Sequence, residues 1–379
     1  QVQVGLTHGR LSWADGVGLS WEHLDAFERV AFSTEQVRTL GGYAGTGKTR
    51  LLTFLASHFP AYSVCSFTGK VAALLRKKGI RGAKTIHGTI YDRVQLPGGR
   101  VRWDLKHKRA VGKGFIVDEA SMVSKPMLDD MLSFDVPIIA IGDHGQLPPV
   151  GEDAGLMKEP MVTLETVHRN AGPIARFAEF VRKGGEALGW TPREGKQVYV
   201  MATRDVPHSS LLNADQILCA FNKTRVKLNR TIRDLKFLNG DGVTGELFDV
   251  AGDGPRVGDR VMCLMNGQGL FNGQQGVAFD IEHDAGRDRI SFRPDGEDEP
   301  YIVQYDPAAF NREKMPKDQP RQRRILPFDY AYAVTAHKFI GDEADKVIVF
   351  EERCRLWQHA RWAYTAASRA RESLIWVTG

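Results

Sequence analysis

The stretch from Gly42 to Thr49 reads GYAGTGKT, the spacing G-x-x-x-x-G-K-[ST]. A strand-like run, Gln36–Leu40, leads into it, and a helical pattern with Leu51, Leu52, Phe54 and Leu55 on one face leaves it. In that setting glycines let backbone N–H groups approach phosphate closely, and the helix start adds its dipole. Lys48 would offset the charge of the β- and γ-phosphates, and Thr49 would ligate Mg2+. A second pair, Asp118-Glu119, closes the apolar run Gly114–Val117. Asp118 would hold Mg2+ directly or through water, while Glu119 would orient and activate the attacking water. A kinase has no use for that second acid, so the pair points to hydrolysis.

The elements around these residues alternate short apolar strands with amphipathic helices. Ala61–Phe67 reads as a strand, Val71, Leu74 and Leu75 as a helix face stopped by Gly79, and Pro137–Ile141 as a buried strand. This rhythm predicts a parallel sheet with helices on both faces. Val94–Trp103 carries two strand-like runs around Pro97-Gly98-Gly99 and predicts a hairpin, with Arg100, Arg102, Lys106, Lys108, Arg109 and Lys113 around it. A second α/β stretch follows, with a helix over Pro173–Arg182, a strand over Gln216–Ala220 and a helix over Asn222–Ile232. From Val243 to about Arg324 the pattern turns to Gly, Asp and short alternating runs, which predicts an inserted β domain ending in a charged loop, Asn311–Arg324. The α/β texture resumes at Leu326.

The 379 residues allow two or three domains, and 42% hydrophobic residues can fill their cores. No run is long enough to span a membrane, and the opening QVQVGLTHGR lacks the basic-then-apolar order of a secretory signal. The absence of an initiator Met fits a trimmed chain or a fragment. Cys65, Cys219, Cys263 and Cys354 show no metal-binding spacing and read as reduced, mostly core residues of a cytosolic protein. A net charge of +5 permits a polyanionic partner without requiring one.

The segment IGDHGQLPPV at Ile141–Val150, with Asp118-Glu119-Ala120-Ser121 upstream, resembles superfamily 1B DNA helicases of the RecD/Dda-like branch. Further segments match in order. Phe67-Thr68-Gly69-Lys70 looks like the family's motif Ia, and Thr85-Ile86-His87-Gly88 like the motif after it. Val167-His168-Arg169 with Pro173-Ile174 resembles motif IV, Thr335-Ala336-His337-Lys338 with Gly341 and Glu343 the late TxHKxxGxE motif, and Tyr364–Ala370 motif VI. The likeness runs from about Ser20 to the C-terminus. His23 stands where many relatives carry an adenine-reading glutamine, Phe339-Ile340 where Ser-Gln is usual, and Ser368 where Thr is common.

This resemblance implies an α/β protein of two RecA-like P-loop motor domains. Residues 1–152 would form the first, with a hairpin (wedge) insertion at 90–113; residues 153–242 and 326–379 the second; and 243–325 an SH3-like β insertion. It assigns Gly42, Gly45, Thr46, Gly47, Lys48, Thr49, Glu343 and His23 to ATP, and Thr49 and Asp118 to Mg2+. Lys48, Asp118, Glu119, Gln146, Arg169 and Arg369 would serve catalysis, the two arginines as fingers and Gln146 as the link from γ-phosphate to DNA. Thr68, Lys70, His87, Thr335, His337, Pro97 and Trp103 would face nucleic acid, with Tyr330 and Tyr332 as further stacking candidates and Arg321, Arg323 and Arg324 as phosphate contacts. The expected enzyme is an ATP-driven DNA helicase acting as a monomer on single-stranded DNA and fork junctions, moving 5′-to-3′, with single-strand-binding or replication proteins as further partners and no membrane. Three other readings stand beside it: a translocase that displaces proteins and unwinds weakly, an RNA-directed motor, and a nucleic-acid-binding module with weak catalysis. A small-molecule kinase would not carry Gln146 in its GDxxQLPP setting.

Overall fold

Ser20 and His23 form a reciprocal cap that starts helix α1, Trp21–Phe32. The serine hydroxyl accepts from the His23 amide and the imidazole accepts from the Ser20 amide, so two donors that a helix start leaves bare are satisfied. The structure, a computed structural model, describes residues 18–95, 101–149, 151–167, 172–191, 197–238, 254–284, 287–314, 325–355 and 357–379. It divides into two compact units: Gln1–Asp92 with Trp103–Ala171, and Arg93–Arg102 with Gly172–Gly379.

In the first unit, α1 leads to strand β1 (Val37–Gly42), helix α2 (Lys48–His58), β2 (Ser63–Ser66), helix α3 (Gly69–Lys77), β3 (Lys84–Thr85) and a short helix α4 (Ile86–Ile90). Strands β4 (Tyr91–Gln95) and β5 (Val101–Leu105) pair with each other as a separate ribbon. They are the arms of the expected hairpin; its turn, with Pro97, lies outside the described residues. Then come β6 (Phe115–Asp118), helix α5 (Lys125–Leu132), β7 (Ile138–Gly142) and β8 (Val162–Leu164). The sheet order is β3-β2-β6-β7-β1-β8, parallel throughout. Successive residues of β6 and β7 enter opposite cores. Ile116, Ile139 and Ile141 pack with Leu51, Leu52 and Leu55, whereas Phe115, Val117, Ile138 and Ala140 pack with Met127, Met131 and Phe134. A strand buried on both faces reads as a continuous apolar run, as these two do. The sequence boundary at 152 falls short: β8 pairs with β1 through Leu40↔Val162 and Gly42↔Leu164, which keeps this stretch in the first sheet.

The second unit opens with helix α6 (Pro173–Arg182), β9 (Val198–Ala202), helix α7 (His208–Asn213), β10 (Gln216–Cys219) and helix α8 (Asn222–Leu238). A closed barrel of five strands follows: β11 (Arg260–Cys263), β12 (Gln275–Asp284), β13 (Arg287–Pro294), β14 (Tyr301–Asp306) and β15 (Ile325–Tyr330). The chain returns through β16 (Ala333–Thr335), β17 (Ala344–Phe350), helix α9 (His359–Ala367) and β18 (Ala370–Thr378). These build a second parallel sheet in the order β16-β10-β17-β18-β9. The β domain expected to end before Leu326 extends further, because β15 closes the barrel against β11 and β14. Phe328 and Tyr330 are therefore barrel core. Buried polar ties fasten α8 to the barrel: Arg225 pairs with Asp329, and Arg233 Nε donates to Asp259 Oδ1 at 3.0 Å. Cys65, Cys219 and Cys263 are buried, and neither they nor Cys354 form a disulfide among the described residues. Among the described residues, no helix is long and apolar enough to cross a membrane.

Candidate active site and nucleic-acid interface

Three adjacent parallel strands, β6, β7 and β1, deliver chemistry at their C-terminal ends. From β1 the chain enters the phosphate-loop sequence. Gly45 and Gly47 both hold φ of 84°, in the left-handed region that suits glycine. Helix α2 then starts on Gly47 with no side-chain cap. A Cβ on Gly47 would come within 2.5 Å of His23 Nε2, so the loop packs directly on that imidazole. Lys48 Nζ donates to the carbonyls of Gly42 and Tyr43 at 2.7 and 2.8 Å and stands 3.9 Å from Asp143 Oδ2.

β6 ends on Asp118, which is buried, with Oδ1 accepting from the Glu119 amide at 2.9 Å. Burial pushes its carboxyl above the usual range, while that amide and the Lys48 ammonium pull it back. Glu119 holds φ 54° and ψ 43°, a left-handed conformation that costs a non-glycine residue about 1–3 kcal/mol. Strain of this kind collects at working sites, and here it falls on the second carboxylate of the Asp118-Glu119 pair.

β7 ends at Gly142 and passes to Asp143, which the motif resemblance leaves without a role. It is fully buried; Oδ1 accepts from the Gly145 amide at 2.9 Å and Oδ2 from Gln146 Nε2 at 3.2 Å. Asp143 thus sits between Lys48 and Gln146. Its signal in the sequence was its position, directly after a fully buried strand.

His23, which stands where many relatives carry an adenine-reading glutamine, is bound on both sides by the protein. Its Nε2 lies 2.9 Å from the Thr46 carbonyl, and its Nδ1 lies 2.7 Å from Ser20 Oγ and accepts from the Ser20 amide. A carbonyl only accepts, so Nε2 carries the proton. Both ring nitrogens serve the protein, and the buried ring braces the phosphate loop.

These groups suit a Mg2+–nucleotide. An uncapped helix start and the Lys48 ammonium stand there, and Gln146 Oε1 and Ser121 Oγ are buried without a hydrogen-bond partner among the described residues. Among those residues there is no cluster of three or more His, Cys, Asp or Glu; Thr49 and Asp118 are the residues that would hold Mg2+.

Arg369, in the second unit, is buried and spends its guanidinium on Thr365 O, Asp342 O and Ser368 Oγ at 3.0, 3.2 and 2.9 Å. It ties the end of α9 to the loop that carries Glu343. A finger role requires it to exchange some of these partners. Arg169 lies outside the described residues, as do His168, Arg321, Arg323 and Arg324.

The expected strand-facing residues follow the C-terminal ends of their strands. Thr68 follows β2 and caps α3, accepting from the Val71 amide at 3.2 Å, with Lys70 in the first turn of that helix. His87 sits just beyond β3, with Trp103 edge-on to it at 6.1 Å and 51% exposed. Thr335 ends β16, and His337 follows in a single 3-10 turn. Of the two further stacking candidates, Tyr330 is closed to a ligand and Tyr332 is tethered through its hydroxyl. Tyr330 is fully buried, and the Tyr332 hydroxyl donates to Asp259 Oδ1 at 2.9 Å. Phe339 and Ile340 are buried core.

Residues 18–199 match the family model of an AAA domain, and residues 330–377 that of the UvrD-like helicase C-terminal domain. No curated protein sequence matches the chain. Several solved structures share its fold. A Pif1 helicase from Bacteroides in complex with ADP-AlF3 and single-stranded DNA is 19% identical, with TM-score 0.59, over 94% of this chain and 92% of that one. A Pif1 helicase from Candida albicans is 20% identical, with TM-score 0.56, over 95% and 94%. A structure of two coordinating Pif1 helicases unwinding forked double-stranded DNA is 19% identical, with TM-score 0.59, over 94% and 92%.

Proposed function

From the match of residues 18–199 to an AAA domain and of residues 330–377 to a UvrD-like helicase C-terminal domain, we propose that the chain is a DNA helicase of superfamily 1B, in the Pif1 and RecD-like branch, that moves 5′-to-3′ along single-stranded DNA and separates duplex ahead of it. It is an ATP-hydrolysing enzyme. The observation that carries the reading is the meeting of Lys48, Asp118, Glu119, Asp143 and Gln146 beyond three neighbouring parallel strands, where open α/β sheets bind ligands.

In this account the amides of Gly45, Gly47, Lys48 and Thr49 cradle the phosphates, with Gly42 and Thr46 shaping the loop. Lys48 exchanges its loop carbonyls for phosphate oxygens. Thr49 and Asp118 would hold Mg2+, which when bound would supply positive charge against the phosphates. Glu119 takes a proton from the attacking water. Gln146, poised by Asp143, reports the γ-phosphate to the strand-binding loops. Arg369, in the second motor domain, and Arg169 would supply charge at the γ-phosphate, and Glu343 would order the loop behind Arg369. An arginine in that role is worth about three to five orders of magnitude in rate.

DNA would lie on Thr68, Lys70, His87 and Trp103 in one motor domain and on Thr335 and His337 in the other. The β4–β5 ribbon with Pro97 would act as the wedge, and the barrel as an SH3-type accessory domain. Backbone contacts of this kind are independent of sequence and weaken with salt.

The test is an unwinding assay on partial duplexes with either a 5′ or a 3′ single-stranded tail. Strand separation only with the 5′ tail supports the reading, and preference for the 3′ tail refutes the direction. A second reading, a translocase that unwinds weakly, draws on the buried Phe339-Ile340 pair, which offers the strand no polar group. It predicts tail-dependent displacement of a bound protein without duplex separation.

A further inference from the structure

In the second unit two aromatic rings with no role assigned above, Phe221 and Trp357, gather beside the strand-facing His337. Phe221 follows β10, His337 follows β16, and Trp357 lies seven residues past the end of β17. These three strands are adjacent and parallel, so all three rings leave the same edge of one sheet. The Trp357 ring sits 5.5 Å from Phe221 and 5.9 Å from His337, the latter edge-on at 67°. Phe221 is 37% exposed. The Trp357 indole N–H has no hydrogen-bond partner among the described residues, so ring packing alone seats it.

Resting on the reading of the chain as a single-strand motor, we propose that Phe221, Trp357 and His337 form a stacking platform for an unpaired nucleobase of the bound strand.

Two observations separate a base from a phosphate as the occupant. The start of α8, next to Phe221, would ordinarily attract an anion. Here the carboxylate of Glu352 already fills it, accepting from the Ala220 and Phe221 amides at 2.7 and 3.1 Å and from the Thr224 hydroxyl. What remains on this edge is ring surface. Burial also lowers the His337 pKa, which leaves the imidazole neutral at pH 7 and able to pack as an aromatic.

The first unit repeats the arrangement. His87 and Trp103 meet edge-on at 6.1 Å and 68°, also beyond a parallel strand. Trp357 is to His337 what Trp103 is to His87, which gives each motor domain one histidine–tryptophan pair. The backbone under the platform is fixed in advance. Glu352 holds the Phe221 side, and the adjacent Glu351 accepts from Trp376 Nε1 and meets His359 Nε2, both at 2.8 Å. Exposed Lys223 and Arg355 flank the rings in sequence and could follow the backbone of the same strand.

The experiment measures the Kd of the full chain for a fluorescent oligo(dT) and for an oligomer of equal length in which the central positions are abasic. It uses wild type, Phe221→Ala, Trp357→Ala and Trp357→Phe. Base–aromatic stacking predicts a loss of roughly fivefold to a hundredfold on oligo(dT) for either alanine variant, little loss on the abasic strand, and near-complete rescue by Trp357→Phe. The salt dependence of Kd should keep its slope, because no phosphate contact is removed. Wild-type affinity in both alanine variants, or equal losses on both strands, would overturn the platform alone. A wild-type chain that binds neither strand would overturn the platform and the motor reading together.

Discussion

Lys48 lies over the carbonyls of its own loop, with Asp143 close behind it. Its removal takes away the one ammonium aimed into the loop, so Lys48→Ala should lower ATP turnover by at least a hundredfold while single-strand affinity stays within a few-fold of wild type. Parallel ATPase and anisotropy titrations check this. Glu119→Gln keeps shape and backbone but removes the base; it should bind a fluorescent ATP analogue normally and fail in single-turnover hydrolysis. His23 was legible as a departure from pattern, yet its actual work was not. The bond to Thr46 joins residues that are 23 positions apart, and no local spacing encodes it. His23→Ala removes one buried bond and the floor under Gly47. Loss of such a bond costs about 1 kcal/mol. The expected result is a rise of roughly fivefold in KM for ATP, with a smaller change in kcat.

At the scale of elements, the parallel strands were readable because burial on both faces makes them continuous apolar runs, as in Phe115–Val117 and Ile138–Ile141. β8 and β15 were misplaced for the same physical reason. Each is a short segment whose membership is decided by its pairing partner, β1 or β11, far away in sequence. Tyr330 and Tyr332 looked like stacking residues, but barrel closure buries the first and Asp259 binds the second. The histidines on the two strand-end loops give a pH prediction. Burial lowers the pKa of both His87 and His337. The unfolded chain takes up their protons near pH 6.5. Below that pH the unfolded state binds more protons than the folded one, so stability is lost as pH falls through the depressed values. Thermal midpoints measured from pH 7.5 to 5 should decline, and the decline should be shallower in a His87→Gln/His337→Gln double variant.

At the scale of the whole molecule, one parallel sheet carries the phosphate loop and a second carries Arg369, and the barrel is inserted into the second between α8 and β16. If closure of two such domains gates hydrolysis, Arg369→Lys should cut ATP turnover about a thousandfold with nucleotide affinity changed only a few-fold. Equal losses in both would mean that Arg369 only ties α9 to the Asp342 loop. The central claim is that ATP hydrolysis is coupled to a single strand of DNA. The most direct measurement is the steady-state ATPase rate at fixed low salt, with and without oligo(dT). The account predicts stimulation of at least tenfold that disappears in Lys48→Ala and fades as salt is raised. A rate indifferent to single-stranded DNA, whether high or absent, would contradict it.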